Sequence, residues 1–146
     1  MIVLDTTVLV YAVGAGHQFC EPSRSLVDLI AKGQLVATTT VEVIQEFAHV
    51  RARRRGREDA THLATAYLDL LSPLLSPTAD DLRRGLVVWG KGGRLGAFDA
   101  VLAETAGAAG AEALVSADPA FGEVPGLRHV VPTDEEVGQL LRDHGG

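Results

Sequence analysis

The sequence predicts an α/β domain in which a mostly parallel sheet of five strands is flanked by helices. Short apolar runs alternate with segments of helical periodicity from end to end, the order typical of parallel strands joined by helical crossovers. The chain has 146 residues, the size of one domain, and its 47% hydrophobic and 22% charged residues are typical of globular proteins. Since no linker or repeat interrupts the pattern, we expect a single domain over residues 1–146.

The elements of the first half follow from apolar periodicity and from the residues that interrupt it. A run of consecutive apolar residues predicts a buried strand, and an apolar stripe at helical spacing predicts an amphipathic helix. Gly33 and Gly56 each follow such a stripe and indicate helix ends, and a third helix ends before Pro73. In chain order we predict a strand at 2–4, a helix at 23–32, a strand at 35–38, and helices at 40–55 and 58–71.

Two capping signals and a glycine-rich turn divide the second half. Thr78 with Asp81 resembles a capping pair for the helix that follows, and Thr133 with Glu136 makes a capping box for the last helix. The glycine-rich turn over 90–96 separates two further helices. The predicted elements are a brief strand at 74–76, helices at 79–89 and 98–107, strands at 113–116 and 129–131, and a helix after 133.

Composition and charge argue against several classes of protein. Nineteen acidic and thirteen basic residues give a net charge of −6, which argues against broad adhesion to nucleic acid. No apolar run reaches the length of a membrane span, and no basic segment of a signal peptide precedes the first strand, so we expect a cytoplasmic protein without membrane contact. The single cysteine, Cys20, has no partner for an internal disulfide and is interpreted as a packing thiol.

Four carboxylates follow predicted strand ends or stand near the start of helices. Ligands of an open parallel sheet bind beyond the carboxyl ends of its strands, so polar residues there are functional candidates. Each carboxylate also has a structural explanation, such as a turn, a cap or a helix dipole. Converging on one site they would repel each other and need cations, and oxygen ligands suit Mg²⁺ or Mn²⁺. These four residues, called the acidic quartet below, are Asp5, Glu46, Asp99 and Asp118.

Four motifs around the acidic quartet resemble the PIN-domain ribonucleases, and most closely the VapC-type toxins of bacterial toxin–antitoxin pairs. They are Val3-Leu4-Asp5-Thr6-Thr7, Thr40 with Gln45-Glu46-Phe47, Phe98-Asp99-Ala100 with Ala103, Thr105 and Ala106, and Leu114-Val115-Ser116-Ala117-Asp118 with Phe121. The motifs occur in order, and the resemblance spans nearly the whole chain. It implies a PIN-like three-layer fold.

The resemblance implies a metal-dependent endoribonuclease that hydrolyses RNA phosphodiester bonds as the toxin of a type II toxin–antitoxin system. It assigns catalysis to the acidic quartet and metal binding to Asp5, Asp99 and Asp118. Thr6 and Ser116 would orient a carboxylate or the water on the metal. The cofactor would be Mg²⁺ or Mn²⁺, acting as one or two ions that polarise the phosphodiester and activate water.

Two protein partners are also implied by the resemblance. A small cognate antitoxin would lay its C-terminal segment across the acidic groove and present a basic residue to the carboxylates. The toxin itself would be a homodimer. In the sequence, only the acidic groove gives a physical reason for such an inhibitor.

A run of arginines ends the predicted helix that carries Glu46. Five of the thirteen cations lie between residues 51 and 57. The helix dipole favours cations at this end, and RNA phosphates would bind the same charges, so both explanations stay open. Aromatic residues make up 5% of the chain, so the sequence does not indicate which RNA is cut. The candidate RNA-binding residues are Arg51, Arg53, Arg54 and Arg55.

Three other functions use a similar frame. A signalling receiver module is also a five-stranded α/β fold with an acidic metal pocket, but it needs a lysine after its fifth strand, and residues 128–134 contain none. A haloacid-dehalogenase-type phosphatase needs a second aspartate two residues after Asp5, where this chain has Thr7. A PIN-like binding module without catalysis would lack part of the acidic quartet, and all four residues are present.

Overall fold

The computed structural model describes residues 1–145 and shows a parallel sheet with helices packed around it. The strand order is β2-β1-β3-β4, so the first strand lies inside the sheet between its two pairing partners. Every residue of β1 and β3 is buried, as expected for central strands of a parallel sheet. The strands are β1 (Ile2–Leu4), β2 (Ala37–Thr38), β3 (Ala113–Val115) and β4 (His129–Val130).

The sheet has four strands, and the prediction of a fifth at residues 74–76 is wrong. Leu75 makes only an isolated parallel bridge with Thr40. Pro73 and Pro77 stand on either side of this segment and lack the N–H groups that a longer ladder would need. The α/β class and the parallel pairing are confirmed, with one strand fewer than expected.

Seven α-helices and one short 3₁₀ helix surround the sheet within residues 1–145. Their positions follow the predicted periodicity except at the first helix, which the sequence analysis missed. None of the helices in the described part of the chain has the length and apolar character needed to cross a bilayer. The helices are α1 (Thr6–Ala12), α2 (Cys20–Ala31), α3 (Val41–Arg55), α4 (Arg57–Leu71), α5 (Ala79–Gly90), α6 (Ala97–Ala108), the 3₁₀ helix (Pro119–Glu123) and α7 (Asp134–Gly145).

Side-chain caps fix the starts of three helices. The Thr40 hydroxyl accepts a hydrogen bond from the third residue of α3, as expected for a helix N-cap. Thr78 and Asp81 form a full reciprocal capping box at α5, with bonds of 2.8 and 3.1 Å. At α7 the Thr133 hydroxyl accepts from the Glu136 N–H at 3.1 Å. The predicted caps Thr78 and Thr133 therefore set two of these boundaries, and at α7 the Glu136 side chain accepts from the Val131 N–H, so the predicted capping box is only half formed.

Helices α5 and α6 pack closely because α5 has a glycine at their contact. A Cβ on Gly85 would lie 2.7 Å from the Val101 side chain, so any larger residue would push the helices apart. Beside Gly85, Leu82 and Leu86 of α5 are about half exposed, at 48% and 44%, and they line a groove with Phe98 and Val101 of α6. Exposed apolar side chains grouped in this way are typical of protein interfaces.

Candidate active site

The carboxyl ends of β1 and β3 lie side by side at the centre of the sheet and open into a cavity of about 460 Å³. The chain leaves β1 toward β2 on one side and returns to β3 on the other, which places the cavity where parallel sheets bind ligands. All four members of the acidic quartet line this cavity. The structure thus brings together carboxylates that the sequence places on four separate segments.

Asp5 is the most firmly held member of the quartet. It directly follows β1, and its side chain is buried, with 4% of the residue exposed. Its Oδ2 atom accepts hydrogen bonds from the Ser116 hydroxyl at 2.7 Å and from the Thr7 hydroxyl at 2.9 Å. Ser116 in turn accepts from the Asp118 N–H at 3.0 Å. Ser116 therefore connects the Asp5 carboxylate with the loop after β3.

Thr7 is the site residue that the sequence analysis missed. Besides donating to Asp5, its hydroxyl accepts a hydrogen bond from the Ala117 N–H at 3.0 Å. It therefore connects the first turn of α1 with the loop after β3. In the sequence, only the presence of a second hydroxyl residue directly after Thr6 pointed to this contact. The direction of the Thr7 side chain depends on a helix that begins at residue 6, which the sequence analysis did not predict.

Glu46 reaches the cavity from the second turn of α3. The Thr6 hydroxyl donates a hydrogen bond to its Oε2 atom at 3.2 Å. Loss of hydration raises the pKa of Glu46, the Thr6 hydrogen bond opposes this effect, and the charge of Asp5 adds to it. Glu46 and Asp5 therefore belong to one electrostatic site.

Asp99 lies in the first turn of α6, and its pKa is raised to about 7. Burial is the main cause, followed by the negative charges of Asp5, Asp118 and Glu46. The other three quartet members thus all act on this one carboxyl group. At neutral pH, ionisation of Asp99 would add a fourth negative charge to the cavity and is therefore unfavourable. A bound cation would reduce the repulsion between these charges.

Asp118 combines the structural role considered in the sequence analysis with a place in the cavity. Its Oδ1 atom accepts a hydrogen bond from the Ala120 N–H at 2.9 Å and caps the 3₁₀ helix. The same side chain lines the cavity and contributes to the raised pKa of Asp99. The turn explanation and the site explanation are therefore compatible at this position.

The chemistry of the quartet suits a hard divalent cation, although its side chains are too far apart to coordinate one ion together. Its donor atoms are all carboxylate oxygens, which Mg²⁺ and Mn²⁺ prefer. Within residues 1–145, no three His, Cys, Asp or Glu side chains are close enough together to hold a metal ion as they stand. Asp5 and Asp118 each accept hydrogen bonds from neighbouring residues, so a cation would have to draw the carboxylates together from these positions.

The predicted RNA-binding arginines occupy three different environments. Arg51 is partly buried and forms an ion pair with Asp59 of α4, with Nε and Oδ1 2.5 Å apart. This hydrogen bond holds the pKa of Asp59 below its usual value. Arg54 lines the same cavity as the acidic quartet, whereas Arg53 and Arg55 are exposed at the end of α3. Arg54 is therefore the cation of the run best placed to meet a phosphate near the carboxylates.

Known proteins are similar to this chain in sequence and in fold. The model of the family described as PIN domain matches residues 2–127. Ribonuclease VapC7 of Mycobacterium tuberculosis (strain ATCC 25618 / H37Rv) is 51% identical over 144 residues, which are 98% of this chain and 99% of that protein.

Solved structures with a similar fold include the following two. VapBC2 from Rickettsia felis, bound to a DNA fragment from their promoter, superposes with a TM-score of 0.69 at 21% identity, over 90% of this chain and 98% of that chain. VapC20 of Mycobacterium tuberculosis, a sarcin-ricin loop cleaving toxin, has a TM-score of 0.69 at 19% identity, over 84% of this chain and 93% of that chain. At such identities these structures show the shared fold alone.

Proposed function

This chain belongs to the PIN domain family, and on that premise we propose that its acidic quartet binds Mg²⁺ or Mn²⁺ for the hydrolysis of RNA. The chain is an endoribonuclease and the toxin of a toxin–antitoxin pair, as its 51% identity to a VapC ribonuclease supports. The observation that carries the metal proposal is the convergence of four carboxylates on one cavity, with the pKa of Asp99 raised to about 7. Family membership sets aside the receiver and phosphatase alternatives.

The residues of the quartet divide into ligands and a proton acceptor. Asp5, held by two hydroxyls, together with Asp99 and Asp118 would bind the ion. When bound, a divalent ion polarises the phosphodiester and lowers the pKa of water. Glu46 stands at the exposed edge of the cavity with a raised pKa, so its carboxylate is suited to accept a proton from the attacking water.

We propose a small antitoxin as the protein partner of this toxin, which the 51% identity to a VapC ribonuclease supports. The cavity carries excess negative charge, so a basic side chain of the partner placed there would be favoured electrostatically. The homodimer stays a prediction, for which the exposed Leu82 and Leu86 face of α5 is a suitable surface and light scattering the direct measurement. A cytoplasmic location also stays a prediction.

Metal binding is expected to raise the melting temperature of the protein. A ligand that binds only the folded state stabilises it by mass action, by about 2.7 kcal/mol at a hundred times the dissociation constant. Thermal melts in Mg²⁺ or Mn²⁺ should therefore exceed melts in a potassium salt of equal ionic strength. The shift should be much smaller for Asp99→Asn, and an equal shift in this variant would move the binding site away from the quartet.

Replacing Arg53, Arg54 and Arg55 by alanine is expected to weaken RNA binding similarly for all sequences. Each lost phosphate contact should reduce the slope of log K against log salt by about 0.7 for a single strand. Because Arg54 lines the cavity, Arg54→Ala alone should account for more of the effect than Arg53→Ala. Titrations of labelled RNA at several salt concentrations measure the slope, and an unchanged slope would assign the run to the solvated helix end.

A further inference from the structure

Aromatic rings form one wall of the cavity that contains the acidic quartet, and we propose that they bind an unpaired RNA base next to the scissile phosphate. The inference rests on the ribonuclease function proposed above, and it adds how the base next to the cleaved bond is bound. The rings belong to Tyr11, His17 and Phe19, called the aromatic cluster below. Tyr11 and His17 line the cavity directly, and Phe19 packs against both of them.

The three rings are in mutual contact. The centroids of Tyr11 and His17 are 4.7 Å apart with an interplanar angle of 33°, so these two rings are tilted against each other. Phe19 meets His17 at 4.7 Å and 64° and meets Tyr11 at 5.4 Å and 86°, both edge-on arrangements. Edge-on contacts are favourable between aromatic rings, so Phe19 supports the other two from the side.

The segment between α1 and α2, which carries His17 and Phe19, is fixed by hydrogen bonds to its backbone. The Arg24 guanidinium donates to the carbonyl of Gly14 at 2.7 Å and to that of Ala12 at 3.3 Å. The Phe19 N–H donates to Nδ1 of His17 at 3.1 Å, which orients the imidazole ring. Because Nδ1 accepts this bond, the neutral ring carries its proton on Nε2, where it can donate to a base. The binding surface is thus formed before any substrate arrives.

Exposure of the rings distinguishes the aromatic cluster from core packing. His17 is exposed and Tyr11 and Phe19 are only partly buried, whereas core aromatics such as Phe47 and Phe121 are fully buried. Tyr11 and the exposed His17 therefore line an acidic cavity, and Phe19 packs against both rings. Aromatic faces at such a place offer a contact that carboxylates cannot, since every base has an apolar face that stacks.

The composition of the cavity favours a single-stranded nucleotide. Its volume of about 460 Å³ lies in the range of small-ligand sites and suits one nucleotide unit. Arg54 lines the same cavity and would offset the repulsion between the acidic quartet and the RNA backbone. Proteins that recognise unpaired RNA commonly stack its bases on aromatic side chains. Since stacking tolerates every base, we expect a requirement for an unpaired base at this position and little preference for its identity.

The test uses short single-stranded RNA substrates that each contain one abasic nucleotide, placed at successive positions around the cleaved bond. For the wild-type chain we expect kcat/KM to fall about tenfold or more when the abasic nucleotide stands at one position next to that bond. In the double variant Tyr11→Leu, His17→Ala this penalty should shrink to less than about twofold, because the stacking partner is already gone. Tyr11→Phe should retain the penalty.

Trp89→Leu is the matched control, since Trp89 is also exposed but lies outside this cavity, and it should show the wild-type abasic profile. An abasic penalty of the same size in wild type and in the double variant would overturn the proposal. Loss of antitoxin inhibition with an unchanged abasic profile would also overturn it and assign the cluster to the protein partner. If no RNA is cleaved at all, the proposed function fails. The base-binding site is then tested by measuring, in EDTA, the binding affinities of the same abasic RNAs for wild type and the double variant.

Discussion

Replacing Asp99 by asparagine is expected to abolish RNA cleavage, by at least about a thousandfold or roughly 4 kcal/mol in the activation free energy. The metal-free protein should nevertheless be as stable as wild type or more stable. Asparagine has nearly the shape of aspartate but no charge, so it removes a metal ligand and also removes the repulsion that Asp99 receives from three other carboxylates. Few substitutions at a purely structural residue would abolish activity while preserving stability.

The raised pKa of Asp99 also predicts how the stability of the metal-free protein changes with pH. The pKa of Asp99 is about 7 in the folded chain and near 3.9 when unfolded, so the folded state binds the proton more tightly. The contribution of this group to stability is therefore present below about pH 4 and is lost as the pH rises toward 7. In EDTA, denaturant melts of wild type between pH 4 and pH 8 should show this loss, and melts of Asp99→Asn should show a weaker one.

Asp69→Asn is the matched control for Asp99→Asn, because Asp69 is an exposed aspartate on α4 outside the cavity. It should leave cleavage and the pH dependence of stability unchanged. A large loss of metal-free stability in Asp99→Asn would instead indicate that Asp99 serves the helix α6 start. Retained cleavage in Asp99→Asn would contradict the assignment of this residue to the reaction.

Glu46→Gln is expected to reduce kcat/KM at least a hundredfold, and Glu42→Gln less than tenfold, or roughly 1.4 kcal/mol. The two glutamates are four residues apart on α3 and project from nearly the same face, so periodicity does not distinguish them. The structure does, since Glu46 lines the cavity of the quartet and its charge raises the pKa of Asp99. Glu46 also receives the Thr6 hydrogen bond, which Glu42 does not.

Glu42 also has a partly buried carboxylate, so its substitution tests whether burial alone makes a glutamate of α3 important for activity. Its Oε2 atom is buried without a hydrogen-bond partner within residues 1–145, and its side chain lines a neighbouring groove with Phe98. A buried carboxylate oxygen of this kind needs water or a ligand for its stability. Measuring kcat/KM for both variants on one RNA decides between them, and a larger effect at Glu42 would move the reaction one turn toward the start of α3.

The sequence predicts the elements whose signals are local. Thr78 with Asp81 and the glycine at 56 gave the starts and ends of helices because caps and turns depend on a few neighbouring residues. Helix α1 was missed because it has only seven residues, several of them β-branched, and it forms through contacts with α2 and α3. The extra strand at 74–76 was predicted from apolar residues alone, although its flanking prolines limit the ladder.

The candidate site could be predicted only as a set of positions. Strand ends and helix starts selected Asp5, Glu46 and the other two quartet members, the resemblance assigned catalysis to them, and the sheet order explains why they meet. The sequence did not reveal that Thr7 would hold Asp5, because that contact requires the direction of a helix that the sequence analysis missed. It likewise gave no indication of the aromatic cluster, whose rings come together where the chain passes from α1 to α2.

The central claim is that the acidic quartet cuts RNA with a divalent metal ion, and mapping the cleaved ends of a defined RNA in matched buffers tests it most directly. Purified protein is incubated with the RNA in Mg²⁺ or Mn²⁺ and, in parallel, in excess EDTA, and the new ends are sequenced. We expect internal cuts with metal, none in EDTA, their return when excess Mn²⁺ is added back, and none for Asp99→Asn. Cuts at the same positions that persist in EDTA would contradict the account.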